Sequence, residues 1–283
     1  MLVIERAHAK INLALHVIGR RADGYHELDS IVAFAGIADV LTISPAACIS
    51  LEVTGPFADG LLRGDENNIV IAAWRQLDIF SRQKGTAIAP VKFQLEKNLP
   101  VAAGIGGGSA DAAAALRGLV RYFSLSISPQ DLDELALQLG ADVPICLVQK
   151  TSRMRGIGEI VSPIDVDLPS GIVLVNPRIP TPTSKVFESL NLQCGQSFGA
   201  GIGNDHDIQS WRNDLTAPAV ALVPEIADVI GSLNHQPDLI CSRMSGSGAT
   251  CFGLAENLAQ AEHAATSIQN RHPDWWIVAT SLL

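Results

Sequence analysis

Between residues 99 and 115 the chain reads Leu-Pro-Val-Ala-Ala-Gly-Ile-Gly-Gly-Gly-Ser-Ala-Asp-Ala-Ala-Ala-Ala. No other stretch restricts the possible folds as much. Gly104, Gly106, Gly107 and Gly108 give a bare backbone that can enter positive φ, and Ser109 with the alanines beyond it predicts a helix starting at once. A helix N-terminus carries unpaired N–H groups and the positive end of the helix dipole, so this junction is built to face an anion, phosphate above all.

Three phosphate-loop grammars can be set against it. A P-loop needs lysine immediately before its Ser/Thr, and Gly108 stands there. The dinucleotide fingerprint GxGxxG is approximated by Gly104, Gly106 and Ser109, but serine replaces the third glycine and no acidic residue closes a strand about 20 residues on, which leaves a hydride-transfer enzyme as a weak alternative. The plainest reading is a flexible turn with Ser109 as an ordinary N-cap.

Other function classes are narrowed by composition. With 29 acidic against 20 basic residues the net charge is −9, and no basic run exceeds Arg20-Arg21, so a nucleic-acid interface is not expected. Positive charge for a phosphorylated ligand must be local: Lys10, Arg20, Arg21, Lys97, Arg153 and Arg155 are the candidates. No run of about 18 apolar residues is present and the N-terminus becomes charged at Glu5-Arg6, so we expect a cytoplasmic protein without membrane contact. Cys48, Cys146, Cys194, Cys241 and Cys251 have no CxxC spacing and read as reduced, mostly buried small hydrophobes. At 283 residues, 47% of them hydrophobic, the chain has room for two modest domains.

Along the N-terminal half, Ile11, Leu13, Leu15 and Val17 alternate with Lys10, Asn12, Ala14 and His16, which predicts a strand. Periodicity alone favours an edge strand with a wet face, on which Lys10 and Asn12 serve solubility and His16 sits at the surface or core edge. Asp23-Gly24 then turns the chain into a hairpin opened by Tyr25 and His26 and running toward Phe34. Strands follow at 40–43 and 49–54, and Asn67 or Asn68 caps a helix with Ile69, Ala72, Ala73, Leu77 and Phe80 on its buried stripe. Val91, Phe93 and Leu95 mark the strand that delivers the chain to the glycine loop. Beyond the loop a helix runs to about Phe123, another starts at Ser128-Pro129 and ends at Gly140, and Asp142 precedes an apolar stretch. Asp142 is either a helix N-cap or a carboxylate that orients a hydroxyl.

Arg153 to Gly158 reads as a basic, glycine-punctuated crossing between domains. The second half offers a strand at 172–175, a Pro/Thr-rich lead into a helix with Val186, Phe187 and Leu190, and a polar loop around 195–207. A helix follows Pro224, and Met244-Ser245-Gly246-Ser247-Gly248-Ala249-Thr250 makes a second glycine-rich turn between short strands. A helix at 258–268 and a strand at 275–280 close the chain, an α+β sandwich with Phe187, Trp275 and Trp276 as core aromatics.

Taken together, Ala9-Lys10-Ile11-Asn12-Leu13, Asp23-Gly24-Tyr25-His26, Gly104-Ile105-Gly106-Gly107-Gly108-Ser109, Gly140-Ala141-Asp142-Val143-Pro144 and Ser245-Gly246-Ser247-Gly248-Ala249 resemble the GHMP kinases. Within that superfamily they are similar to the kinases of 4-diphosphocytidyl-2-C-methyl-D-erythritol. The most specific part is Asp-Gly-Tyr-His after Ala-Lys-Ile-Asn, because the central loop is shared by the whole superfamily. Ile105 departs from the usual leucine, a change of branching that packing tolerates.

The resemblance implies an α+β, two-domain fold: an N-terminal mixed sheet with helices that binds ATP (1–155), a C-terminal α+β sandwich that binds substrate (156–283), and an active site in the cleft between them. It implies ATP-dependent phosphorylation of the 2-hydroxyl of that substrate in non-mevalonate isoprenoid synthesis. Lys10 and Asp142 become the catalytic pair, and Pro100, Gly104, Gly106, Gly107, Gly108 and Ser109 wrap the ATP phosphates. Asn67 and Asn68 fall at the adenine pocket, while Asn12, Tyr25, His26, Thr183 and Phe187 hold the cytidine and diphosphate, Phe187 as a stacking partner for cytosine. Mg²⁺ is expected to be held mainly through ATP, with no dedicated protein metal site, and the assembly to be a monomer or homodimer. A homoserine or mevalonate kinase would share the loop without Asp23-Gly24-Tyr25-His26, and a silent nucleotide-binding regulator would lose Lys10 and Asp142.

Overall fold

In this computed structural model, residues 2–61, 68–203 and 207–283 are described. In chain order the elements are β1 (Val3–Arg20), β2 (His26–Pro45), β3 (Ser50–Thr54), α1 (Ile69–Gln83), β4 (Val91–Glu96), α2 (Gly107–Tyr122), α3 (Pro129–Leu139) and α4 (Val143–Val148). They continue with β5 (Ser152–Gly156), β6 (Ile160–Pro163), β7 (Gly171–Asn176), α5 (Thr183–Glu188), α6 (Thr216–Leu222), α7 (Glu225–Asn234), β8 (Cys241–Met244), β9 (Cys251–Ala255), α8 (Leu258–Arg271) and β10 (Trp276–Ser281). No helix among the described residues is long and apolar enough to cross a membrane.

Two compact units form, interleaved along the chain: Met1–Ala9, Ile37–Val101 and Gly106–Gln149 make the first, and Lys10–Gly36, Ala102–Ile105 and Lys150–Leu283 the second. This is a different division from 1–155 and 156–283, because the early hairpin and four residues of the glycine loop group with the C-terminal part.

In the first unit β3 lies parallel to β4, and β4 runs antiparallel to the Val40–Pro45 part of β2. Helices α1 to α4 pack on one another. The alanine-rich α2 is buried on nearly every side from Ala110 to Leu119, and small side chains let its neighbours approach: a Cβ on Gly118 would come within 2.6 Å of Ile43. Arg117 pins α2 in place by donating to the Cys146 and Arg6 carbonyls and pairing with Glu5 at 3.2 Å. The stripe of α1 is only partly as periodicity suggests. Ala73 and Leu77 are buried with Val70 and Ile71, whereas Ile69, Ala72 and Phe80 are half-buried, the helix being rotated toward its 70/71 side.

The second unit holds an antiparallel sheet ordered β10-β7-β9-β8, against which α7 and α8 pack. The apolar cluster there includes Val173, Val175, Ile226, Val229, Leu233, Ala261, Ala264 and Ile268, with Phe187 and Trp275 half-buried at its margin. In the same unit the Leu28–Val32 part of β2 pairs antiparallel with β5, and β5 with β6. Arg153 to Gly158 is therefore no crossing segment: most of it is strand β5.

β1 is no edge strand. It pairs with β2 on one side, and on the other two segments, 195–202 and 212–214, lie along it, with Gly195 and Phe198 donating to the Arg20 and Ile18 carbonyls and Leu15 to that of Arg212. Both faces are accordingly buried, and Lys10, Asn12 and His16 are 4%, 1% and 3% exposed. His16 spans the two legs of the covering loop, its Nδ1 at 3.3 Å from the Ala200 carbonyl and its Nε2 accepting from Arg212 N–H at 3.4 Å. Desolvation, then the Arg212 charge, lowers its pKa, in keeping with a neutral ring. None of the five cysteines is in a disulfide, but only Cys146 and Cys251 are buried; Cys48 and Cys194 lie in exposed loops.

Asp29 ties the covering loop to the hairpin. It takes a two-pronged bond from Arg153 at 2.7 and 2.6 Å and accepts Ile202 N–H at 2.8 Å. Burial alone would raise the carboxyl, but the bonds from Arg153 and Ile202 and the Arg153 charge outweigh it and hold the pKa below 3.8. Since the folded value is the lower one, the stabilisation is complete above 3.8 and disappears as pH falls through the folded value. Asp29→Asn should cost about 2 kcal/mol at neutral pH, in urea unfolding, by leaving Arg153 without its carboxylate. The gap from the unaltered chain should close progressively below pH 3.8.

Candidate active site

The glycine loop is divided between the units, and each part is held in its own way. In the second unit four successive carbonyls are claimed by protein donors. Ala102 accepts from Thr181 N–H at 3.4 Å, Ala103 from Thr250 N–H at 3.1 Å, Gly104 from Ser245 Oγ at 2.9 Å and Ile105 from Lys10 N–H at 2.9 Å. Ser245 is a two-way link, its Oγ also accepting from Asn12 N–H at 3.1 Å. Ala102 and Gly104 are left-handed, at φ 52° and 75°. Gly104 is glycine for a packing reason as well: a Cβ there would press on the Ser245 carbonyl and lie 2.7 Å from Gly248 N. The second glycine turn is thus the seat of the first. Asn213 holds that seat in shape, donating to the Met244 and Gly246 carbonyls at 2.8 Å.

In the first unit the loop enters through buried Pro100 and leaves into α2. Gly106, at φ 63°, is the N-cap of α2, so Ser109 lies inside the first turn and is not the cap. Gly108 is exposed and a Cβ there would meet nothing within 4 Å, while at Gly107 it would make only ordinary contacts. Packing therefore does not demand glycine at either position. What bare backbone does supply is N–H groups, unpaired at a helix start, that an anion can reach.

Beneath this helix start lies a cluster that pattern reasoning missed. Lys97, 3% exposed, donates to Asp111 Oδ2 at 2.7 Å and to Asp39 Oδ2, while Asp39 Oδ1 accepts the N–H groups of Asn98 at 2.6 Å and Leu99 at 2.8 Å. Burial pushes the Asp111 carboxyl up to about 8, against the pull of Lys97 and with the push of Asp39. Its Oδ1 finds no partner among the described residues, which also disfavours the charged form. Burial works against the Lys97 charge as well, yet the two carboxylates prevail and raise its pKa. The signal was present: Asp111 is a lone acid in a run of alanines bound for burial.

Lys97 and Arg153 are thus each engaged by carboxylates, Arg153 by Asp29. Arg20 donates to the Gly24 and Leu192 carbonyls, and Arg21 pairs with Asp23 at 2.8 Å. Lys10 donates through Nζ to Asn12 Oδ1 at 3.3 Å, and Asn12 in turn donates to Ser30 Oγ at 2.8 Å.

Other expected residues also meet within the second unit. The His26 and Phe187 rings lie 5.0 Å apart with a 33° tilt. His26 Nε2 is buried without a partner among the described residues, and desolvation, then Arg20, lowers the ring's pKa. A neutral imidazole with an unused nitrogen beside a second ring is equipped to read the edge of a base. Tyr25 stays 61% exposed at the hairpin turn, and Thr183 Oγ1 lies 2.8 Å from Ser247 Oγ. In the first unit Asn68 caps α1, accepting Val70 N–H at 2.9 Å. Asn67 lies outside the described residues. Asp142 occupies the N-cap position of α4, yet its side chain accepts no cap hydrogen bond.

These features define a kinase of the GHMP type, and comparison bears this out: residues 68–150 match the GHMP kinases N terminal domain and residues 186–274 the GHMP kinases C terminal domain. The chain belongs to the 4-diphosphocytidyl-2-C-methyl-D-erythritol kinase family. It is 46% identical to the protein of that name from Paramagnetospirillum magneticum, over 98% of this chain and 97% of the relative. A solved 4-(cytidine 5'-diphospho)-2C-methyl-D-erythritol kinase superposes with TM-score 0.81 at 31% identity, covering 99% of this chain and 98% of that one. A homoserine kinase from Cytophaga hutchinsonii shares the fold, with TM-score 0.72 at 15% identity, covering 99% and 94% of the two chains.

The two kinds of loop glycine should separate on substitution. Gly104→Ala combines a left-handed φ with a clash against backbone and should cost about 3 kcal/mol in chemical unfolding. Gly108→Ala, in open space, should leave stability within about 1 kcal/mol of the unaltered chain or raise it.

Proposed function

We propose that this chain transfers the γ-phosphoryl group of ATP to the 2-hydroxyl of 4-diphosphocytidyl-2-C-methyl-D-erythritol, a step of non-mevalonate isoprenoid synthesis. The observation that carries the reading is the backbone bond from Lys10 N–H to Ile105 carbonyl at 2.9 Å, which couples a catalytic lysine to the phosphate loop. By sequence span the ATP-binding domain is assigned to 1–155 and the substrate-binding domain to 156–283, with residues 10–36, 102–105 and 150–155 of the first span folding into the second unit, and the reducing cytoplasm, which suits five cysteines outside any disulfide, is the working compartment.

Pro100, Gly104, Gly106, Gly107, Gly108 and Ser109 receive the triphosphate, and Asn67 and Asn68 flank the adenine. Asp142 accepts the proton of the attacking hydroxyl, while Lys10 steadies the resulting negative charge and that of the phosphoryl group in flight. Asn12 orients Lys10 through its Oδ1, and the cytidine end is read by His26, Tyr25, Thr183 and Phe187. Mg²⁺ would be held mainly by ATP oxygens with the Ser109 hydroxyl, neutralising phosphate charge.

Phosphoryl transfer of this kind works by positioning and electrostatics, with no covalent enzyme intermediate. Asp142→Asn keeps the size of the side chain but removes the base, and ADP release with both substrates present should fall by about 10² to 10⁴ in kcat with folding intact. Near-normal turnover would refute the role. Phe187→Ala should raise KM for the cytidyl substrate by about tenfold, the worth of one stacked ring, and leave KM for ATP unaltered. Equal effects on the two KM values would return Phe187 to a packing role.

A further inference from the structure

We infer that Asp39, Lys97 and Asp111 are positioning residues that fasten both ends of the phosphate loop to one buried point and keep that point from repelling the triphosphate. The inference rests on reading the loop as the ATP site.

Three observations combine. At the entrance, Asp39 Oδ1 accepts the consecutive N–H groups of Asn98 and Leu99, the last residues before Pro100, and so fixes the direction in which the loop departs. The exit is held by Asp111, in the second turn of α2, whose Oδ2 takes the Lys97 ammonium at 2.7 Å. Entrance and exit are joined because the same ammonium also donates to Asp39 Oδ2. A loop whose two ends share one fastening loses little further entropy when its N–H groups close on a ligand.

Position supplies the electrostatic half. A Cβ on Gly107, the first residue of α2, would lie 3.6 Å from Lys97 Nζ and 3.9 Å from Asp39 Oδ2, so the cluster sits directly under the helix start. Two carboxylates there without a cation would oppose an approaching polyphosphate. With Lys97 in place, and with Asp111 favouring its proton, the cluster is close to neutral and the dipole of α2 acts on the ligand alone. This also explains why a buried lysine is placed where a leucine would pack more cheaply.

The test uses the full chain and steady-state kinetics with MgATP and the cytidyl substrate, after thermal melting has shown each variant folded. Lys97→Met, which keeps the stem volume, should raise KM for ATP by about tenfold while KM for the cytidyl substrate stays within about twofold. Asp111→Ala removes the acceptor that holds the exit while keeping the Lys97–Asp39 pair, and serves if Lys97→Met fails to fold; it should raise KM for ATP by about threefold with the same selectivity. A folded variant with unaltered KM for ATP, or with both KM values raised alike, overturns the proposal. Gly108→Val, measured by direct MgATP binding, checks the underlying reading. If that change leaves ATP binding intact, the loop is not the ATP site and the proposal falls with it; if it abolishes binding while Lys97→Met and Asp111→Ala have no effect on KM for ATP, only the positioning role is lost.

Discussion

The seating of residues 102–105 by four carbonyl acceptors is the interaction on which the remaining site geometry rests. A phosphate loop must turn its N–H groups outward, and the direct way to do so is to give its carbonyls partners on the protein side. Here the partners come from β1, from the turn before α5 and from the second glycine turn, so three distant stretches of sequence are fixed by one loop. Ser245 is central among them, because a single hydroxyl touches both the loop and Asn12, and Asn12 holds the Lys10 side chain.

An acidic chain that handles anionic ligands has to solve an electrostatic problem, and the structure shows how its cations are spent. Arg153, Lys97, Arg117 and Arg212 are each tied to carboxylates, at Asp29, Asp39 with Asp111, Glu5 and Asp214. On the function proposed above, the attraction for phosphate comes mainly from backbone N–H groups and the dipole of α2, with Lys10 as the cation assigned to the reacting group. Fixed dipoles need no reorganisation as charge develops, which suits phosphoryl transfer.

Much of this was legible in the residues. Alternation and turn chemistry located β1, β4, β7, the hairpin at Asp23-Gly24 and the helix start after the glycine loop, because each is decided by local sterics and by apolar patterning over a short stretch. Periodicity misjudged β1 because its partners are remote in sequence: His16 is covered by a segment some 180 residues later, and Lys10 and Asn12 meet Ile105 and Ser245. The Asp39–Lys97–Asp111 cluster escaped for the same reason: its members are 58 and 14 residues apart, and although Asp111 stands out as a lone acid among alanines, nothing local names its partners. Gly106 rather than Ser109 caps α2 because a left-handed residue was needed at the cap, a demand set by the loop's seat and not by capping preference. The interleaving of the two units was illegible in principle to a reading that cuts the chain once.

The central claim is that phosphorus moves from ATP to a carbon-bound oxygen of the cytidyl substrate, and ³¹P NMR of the product mixture tests it most directly. The account predicts that, as ATP signals give way to those of ADP, a phosphomonoester resonance grows in equal amount while the two diphosphate signals of the cytidyl compound persist. Conversion of ATP to ADP with inorganic phosphate as the only new resonance, and an unaltered cytidyl compound, would contradict it.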